Sequence, residues 1–325
     1  MPDISGISCR SWSNDADYPL AVELLNLEMR SMGVDNLVAV EEIRNVWDNT
    51  PHLELCRDAA FVEIDAVPVG FVLVRWHDEA DGSRVYRHQC CTHPDWRGRG
   101  IGTGMLEWAI AHIRDIAAGH DVDRKVLRAS VSRLPAPAAD LLESFGYEAS
   151  DHFAELIRVN LDGIPDAPLP SGVEIRPVEQ THLRRIFDAD CEAFRGHWGY
   201  REDSDSEEDW RWFLEFPHRD ESLWKVAWMG DNVVGQVRGF INRAENREMN
   251  RRRGWCDEIS TLPEYRRQGI ATALICATLR EFKARGMTEA ALDVHVENPN
   301  MALRLYTSLG FELHSQGATY ERGFE

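Results

Sequence analysis

Pro263-Glu264-Tyr265-Arg266-Arg267-Gln268-Gly269-Ile270-Ala271 follows a β-rich run and opens a long amphipathic stretch. The same arrangement stands once more, as Pro94-Asp95-Trp96-Arg97-Gly98-Arg99-Gly100-Ile101-Gly102. Both read R-x-x-G-x-G/A three residues after a proline, and both lead into a helix. A helix start carries unpaired amides and a partial positive charge, which suits a diphosphate. Glycine at 98, 100 and 269 lets the backbone bend toward phosphate oxygens with no Cβ in the way. The arginines at 97, 99, 266 and 267 add charge-assisted hydrogen bonds. The expected contacts are therefore Arg97, Gly98, Arg99, Gly100, Ile101, Gly102 and Thr103 in one loop. In the other they are Arg266, Arg267, Gln268, Gly269, Ile270, Ala271 and Thr272. The pattern lacks the Lys-Ser/Thr of a Walker loop. It follows several strands rather than a first βα turn, so it is a poor dinucleotide fingerprint.

Reading outward, the two loops sit in two copies of one element order. Helical periodicity at Ala21–Met32 precedes strand-like runs at Ala59–Ile64, Val69–Trp76 and Val85–Thr92. In the later half, Thr181–Phe194 reads as a helix, and strand-like runs follow at Leu223–Trp228, Val233–Ile241 and Trp255–Leu262. Each loop opens an amphipathic helix, with Met105, Ala109 and Ile113 on one face of the first and Leu274, Leu279 and Phe282 on one face of the second. A further strand and a short helix close each copy, ending in Phe145-Gly146-Tyr147 and Leu309-Gly310-Phe311. Between the copies, Pro165, Pro168 and Pro170 mark a linker. The expected division is residues 1–160, a linker at 161–171, and residues 172–325, each domain an α/β mixed sheet flanked by helices.

Composition narrows the function. The chain has 325 residues, 43% of them hydrophobic, with 36 Lys and Arg against 55 Asp and Glu for a net charge of −19. So acidic a chain does not grip a nucleic-acid backbone, and its field favours a cationic ligand. No apolar run is long enough to span a bilayer, and Met1–Asn14 lacks the apolar core of a signal peptide. Seven cysteines fit neither a disulfide framework nor a metal knuckle, so they read as reduced thiols of a cytoplasmic, metal-free protein.

The loops, together with Asn300-Met301-Ala302-Leu303-Arg304-Leu305-Tyr306-Thr307-Ser308-Leu309-Gly310-Phe311, resemble the acetyl-CoA motif and the closing N-x-x-A-x-x-x-Y-x-x-x-G-F pattern of the GNAT superfamily of N-acetyltransferases. The tandem arrangement and length are similar to those of the mycothiol synthase family. The resemblance implies two tandem GNAT folds that use acetyl-CoA. It places the diphosphate on the loop amides, the pantetheine arm along Ile259, Thr261 and Leu262, and Asn300 near that arm. It gives Tyr306 the role of acid toward the departing thiolate. In the N-terminal copy Leu142 stands opposite Tyr306 and Ala136 opposite Asn300, so that copy reads as non-catalytic.

Transfer to an amine also needs a base, since the substrate is an ammonium ion at neutral pH. Asp257 and Glu258 lie on the central strand, and strand alternation sends them to opposite faces. Asp257 is the first choice as base and Glu258 the second, with oxyanion contacts from the amides near Ser260–Leu262. His88 matches Asp257 in the first copy and reads as structural. His197, Trp198 and Tyr200 follow the first helix of the C-terminal half, where this fold builds its acceptor pocket. The expected activity is acetyl transfer from acetyl-CoA to a primary amine of a small molecule, by a monomer or homodimer. A non-catalytic acyl-CoA sensor and a peptide or protein acetyltransferase are the alternatives.

Overall fold

The structure, a computed structural model, describes residues 1–34, 37–195, 197, 200–201, 204–296 and 302–324. In chain order its regular elements are β1 (Ile7–Ser11), α1 (Asp17–Ser31), α2 (Val40–Asp48), α3 (Leu55–Asp58), β2 (Ala59–Ile64), β3 (Val67–Asp78), β4 (Arg84–Thr92), α4 (Ile101–Ala117), β5 (Lys125–Val131), α5 (Pro137–Ser144) and β6 (Glu148–Arg158). There follow β7 (Val173–Arg176), α6 (Leu183–Phe194), α7 (Glu207–Glu215), β8 (Lys225–Met229), β9 (Asn232–Val237), α8 (Arg243–Glu248), β10 (Arg253–Trp255), β11 (Ser260–Thr261), α9 (Ile270–Ala284), β12 (Glu289–His295), α10 (Ala302–Ser308) and β13 (Glu312–Gly323). Among the described residues no helix is long and apolar enough to cross a membrane.

Two compact units result, and they do not follow the expected division at 161–171. The first comprises Met1–His152, Arg201–Asp203 and Gly317–Glu325; the second comprises Phe153–Tyr200 and Ser204–Gln316. Strand pairing explains the difference. The second half of β13 pairs antiparallel with β5, from Ala318 opposite Val131 to Gly323 opposite Val126, and buries Ala318 and Tyr320 in the first core. The second half of β6 pairs with β12, from Arg158 opposite Ala290 to Phe153 opposite His295, and places Ala154 and Leu156 in the second core. Nor is the segment 161–171 a free spacer. Leu161 is buried, and Ile164, Ala167 and Leu169 pack against the second core.

Within the first unit the sheet runs β1-β2-β3-β4-β5-β13, with β4 parallel to β5 and the other neighbours antiparallel. Helix α4 covers one face through Met105, Leu106, Ala109 and Ile113. The other face carries an aromatic cluster of Trp12, Tyr18, Trp47, Phe61 and Phe71. The second unit has one sheet in the order β11-β9-β8-β7, while β10 and the second half of β6 flank β12. Helix α9 buries Leu274, Ile275, Leu279 and Phe282 completely, each worth about 1.5–3 kcal/mol of apolar burial. Gly254 is required by that packing, because a Cβ there would lie 2.6 Å from the Phe282 ring.

A buried ion cluster holds β10 in place. Arg253 donates to Glu155 of β6 at 3.0 Å and to Glu289 of β12 at 2.7 Å, with its side chain only 4% exposed. Arg253→Met leaves two carboxylates without their cation, and breaking such a pair costs about 3–5 kcal/mol. A urea titration should show the unfolding free energy of the second unit fall by that amount, read as the shift in midpoint multiplied by the slope; an unchanged midpoint would mean the carboxylates relax into solvent.

Candidate functional site

The run Trp255–Leu262, expected as one strand, is two short strands broken at residues 256–259, and the break makes the site. Trp255 still bridges Phe240, and Cys256 N–H reaches Ala291 O at 2.8 Å. Beyond that point, among the described residues, β11 pairs only with β9, Ser260 opposite Gln236. Strand β12 continues to His295 against β6. The strand thus leaves its parallel neighbour and opens a wedge between them. One residue is inserted at the break. Arg238 N–H bonds Asp257 O at 2.8 Å, and two residues along β9 Gln236 faces Ser260 rather than residue 259. The extra residue is Glu258, held at φ +43, a left-handed conformation costing about 1–2 kcal/mol for an L-residue. Strain of this kind concentrates at functional sites.

This bulge overturns the expectation that Asp257 and Glu258 face opposite ways, because period two fails where a residue is inserted. Both carboxylates line one pocket with Arg238, and Trp212, Phe213, Phe216, Trp224 and Phe240 form its walls. Arg238 lies 4.9 Å above the Phe213 ring and 3.4 Å from Glu258. It is anchored from below by Asp190 of α6 at 2.8 Å. Asp190 also accepts from Ser260 Oγ at 2.7 Å and Gln236 Nε2 at 3.0 Å. Loss of hydration pushes Asp257 up to about 7, the negative charge of Glu258 adds to this, and Arg238 opposes it. Burial likewise raises Asp190, against the pull of Arg238. A carboxyl that titrates near neutrality suits proton transfer at that pH.

On the other flank of the break stands Tyr306. It is 6% exposed within the second core, and Phe311 N–H bonds its carbonyl at 3.1 Å. Burial raises its hydroxyl above the ordinary phenol range, and the neighbouring Cys256 adds to this, so Tyr306 is protonated at neutral pH. Gly269 caps α9 at φ +86 with no side-chain cap on the helix start, and a Cβ there would meet nothing within 4 Å. Arg267 holds φ +58 where the first loop has Gly98 at φ +72, so both loops keep one backbone shape. Thr261 Oγ1 is buried and unpartnered among the described residues. An open wedge, an uncapped helix start and an orphaned hydroxyl on β11 fit a long ligand that ends in a diphosphate.

Several expected contacts are placed differently. Arg266 donates to Thr261 O at 3.1 Å and to Ala193 O at 2.8 Å, so its guanidinium ties α6 to β11. Gln268 donates to Glu264 O at 3.1 Å. His197 does not line the aromatic pocket. Burial first, then the charges of Arg266 and His295, depress its pKa, which puts it beside the loop. Tyr200 bonds to Arg195 instead. Trp198 and Asn300 lie outside the described residues. Ile259 packs against the second core, and Leu262 N–H bonds Val234 O at 3.1 Å. Ile270 is buried, while Ala271 and Thr272 are half-buried at the helix start. The pocket's aromatic walls and Asp190 were not expected. Asp190 shares the buried stripe Ile186, Phe187, Asp190, Ala193; an acid on an apolar helix face is the signal that finds it.

The first unit keeps the loop but carries other residues at the positions of Tyr306 and Asp257. Gly100 caps α4 at φ +83, yet Cβ positions at Gly100 and Gly104 would lie 3.4 Å from Pro2 and 2.9 Å from Met1. Arg97 is 3.7 Å from Glu28, and Arg99 stacks on Trp96. Gly98, at φ +72, has open space at its Cβ position, Ile101 is buried in the first core, and Gly102 and Thr103 are half-buried in the first turn. Leu142 is buried where the other unit has Tyr306, with Tyr147 N–H bonding its carbonyl at 3.1 Å. Because β4 has no bulge, Arg75 faces Arg87 and Leu73 faces Gln89, so the strand position of Asp257 belongs to Gln89 and that of Cys256 to His88. This corrects the matching of His88 with Asp257. His88 is sealed in the core, its Nε2 2.8 Å from Tyr147 Oη, and burial lowers its pKa to about 4.

Comparison with known proteins gives the family and the fold. Residues 183–311 match the acetyltransferase (GNAT) family and residues 57–149 match an acetyltransferase (GNAT) domain. A mycothiol acetyltransferase of Saccharomonospora viridis is 26% identical over 78% of this chain and 79% of its own length. A GCN5-related N-acetyltransferase from Sphaerobacter thermophilus superposes with a TM-score of 0.72 at 23% identity, covering 99% of this chain and 96% of that one. A tandem GNAT protein from the clavulanic acid biosynthesis pathway superposes at 0.70 and 16% identity, covering 98% of each chain.

Proposed function

The chain carries two GNAT acetyltransferase domains in tandem and is an acetyl-CoA-dependent N-acetyltransferase; from that premise we propose that its second unit acetylates a primary amine of a small molecule. The observation that carries this reading is the pocket at the strand break, where aromatic walls and the carboxylates Asp257 and Glu258 surround Arg238. Aromatic faces and carboxylates attract an ammonium group, and Asp190 neutralises Arg238. The small-molecule acceptor of the mycothiol acetyltransferase relative supports a small amine over a peptide.

The uncapped start of α9, with Gly269 through Thr272, would hold the diphosphate of acetyl-CoA, and Thr261 with Leu262 would line its arm. Acetyl-CoA supplies the activated acetyl thioester. Asp257 takes the proton of the ammonium group, with Glu258 as the second candidate, and the aromatic walls exclude water. Tyr306 keeps its proton until a thiolate develops beside it. The first unit, with Leu142 in place of the tyrosine and Met1 and Pro2 against its loop, serves as a non-catalytic partner.

Tyr306→Phe should lower kcat about tenfold to a hundredfold while acetyl-CoA still binds. The effect stays at the low end of general-acid catalysis because a thiol with a pKa near 8.5 leaves without much help. Steady-state assay of thiol release against a panel of small amines tests both points. Unchanged kcat would remove Tyr306 as the acid, and release with basic peptides alone would replace the acceptor class.

A further inference from the structure

In the first unit, Arg75, Arg87 and Arg128 stand in one row across β3, β4 and β5. Arg75 lies opposite Arg87, Arg87 opposite Arg128, and Arg128 opposite Glu321 of β13. Like charges directly opposite one another destabilise a sheet, and here, among the described residues, the balancing acids bond one end of the row. Glu79 and Glu321 both bond Arg128, Glu321 at 2.6 Å, and Glu79 also faces His77 at 3.6 Å. Arg87 donates to Ser130 Oγ at 3.1 Å. Among the described residues Arg75 has no hydrogen bond or ion pair. Both arginines are half-buried. Burial first, then the charges of Arg75 and Arg128, lower Arg87 to about 9 against the pull of Glu79 and Glu321, and burial with the nearby Arg201 lowers Arg75. A chain carrying a net charge of −19 has thus gathered three arginines against two glutamates at one spot.

The register says where this spot lies. In the second unit the corresponding cross-strand pair is Phe240 and Trp255, whose rings stack 6.2 Å apart at 10°, and Ala291 takes the place of Arg128. The strand position that is aromatic beside the amine pocket in one unit is therefore triply cationic in the other. We propose that the first unit binds an oxyanion, a carboxylate or phosphate group of a small molecule, between Arg75 and Arg87. Two planar guanidinium forks on adjacent strands present paired donors that match such a group, and the bound anion relieves the repulsion between them.

Calorimetric titration of the full chain with inorganic phosphate and with succinate, ionic strength held by chloride and acetyl-CoA absent, tests this independently of turnover. At least one probe should bind saturably, and which one binds tells phosphate from carboxylate. Arg75→Gln and Arg87→Gln should each weaken it about tenfold or more, the value of a charged hydrogen bond. Arg75→Lys, which keeps the charge without the fork, should weaken it measurably. In chloride alone both glutamine variants should melt higher than the native chain, because a like-charge contact is gone. Acetyl transfer in the second unit should be unchanged. Binding of neither probe, binding that survives in both glutamine variants (which would report the helix-start loops), or a lower melting temperature in chloride would overturn the proposal.

Discussion

Asp257→Asn is expected to lower kcat/KM for acetyl transfer by about 10²–10⁴, the range for loss of a general base. The argument rests on placement and on charge. Asp257 sits where the strand breaks away from β12, lining the aromatic pocket with Arg238. Desolvation, then Glu258, hold its carboxyl at about 7. The native enzyme should therefore lose rate as the pH falls below about 7, where Asp257 binds a proton and cannot accept another. The acidic limb of the profile should vanish in the variant, leaving a low, flatter rate. Stability should move the other way. Between the ordinary carboxylate value near 4 and about 7, the native chain holds a proton that the unfolded chain has released, so ionisation costs stability as pH rises through that window. Asparagine escapes that cost, so the variant should fold at least as stably as the native chain at pH 7. A rate–pH profile on both proteins decides the matter. If Asp257→Asn keeps the acidic limb and Glu258→Gln removes it, the base is Glu258.

The loops were legible because their chemistry is local. A proline, a basic residue and a left-handed glycine at the start of a helix declare themselves in nine residues, and both loops hold that backbone shape at Gly100 and Gly269. The pocket was not legible for the opposite reason. An inserted residue is invisible in a run such as Trp255–Leu262, where every side chain is compatible with a strand. Only the pairing of Phe240 with Trp255 on one side and Gln236 with Ser260 on the other reveals it. That single insertion turns Glu258 toward Arg238 and moves the counterpart of Asp257 from His88 to Gln89. Likewise Phe213, Phe216 and Trp224 read as ordinary core residues until a carboxylate pair is found among them.

Neither half of the chain, cut within the proline-rich segment, should fold alone. Residues 1–160 lack Gly317–Glu325, and with it the strand whose residues Ala318–Gly323 pair with β5. Without that strand β5 becomes a bare edge, Ala318 and Tyr320 leave the first core, and Arg128 loses Glu321. Residues 172–325 lack Phe153–Arg158. That fragment exposes the edge of β12, removes Ala154, Leu156 and Leu161 from the second core, and leaves Arg253 without Glu155. Each loss combines apolar burial with a broken buried ion pair, the latter alone worth about 3–5 kcal/mol, against a total domain stability of about 5–15 kcal/mol. Exposed strand edges add a route to aggregation. Both fragments should therefore be insoluble or show no cooperative melting. Appending residues 312–325 to the end of residues 1–160 through a flexible linker should restore a cooperative transition, since the rescued unit needs only its missing strand. Soluble, cooperatively melting 1–160 would mean that β5 tolerates a free edge and that the proline-rich segment is a true domain boundary. Rescue by the appended strand, with no rescue by a scrambled strand of the same composition, would show that the first unit is completed by chain from the other half of the sequence.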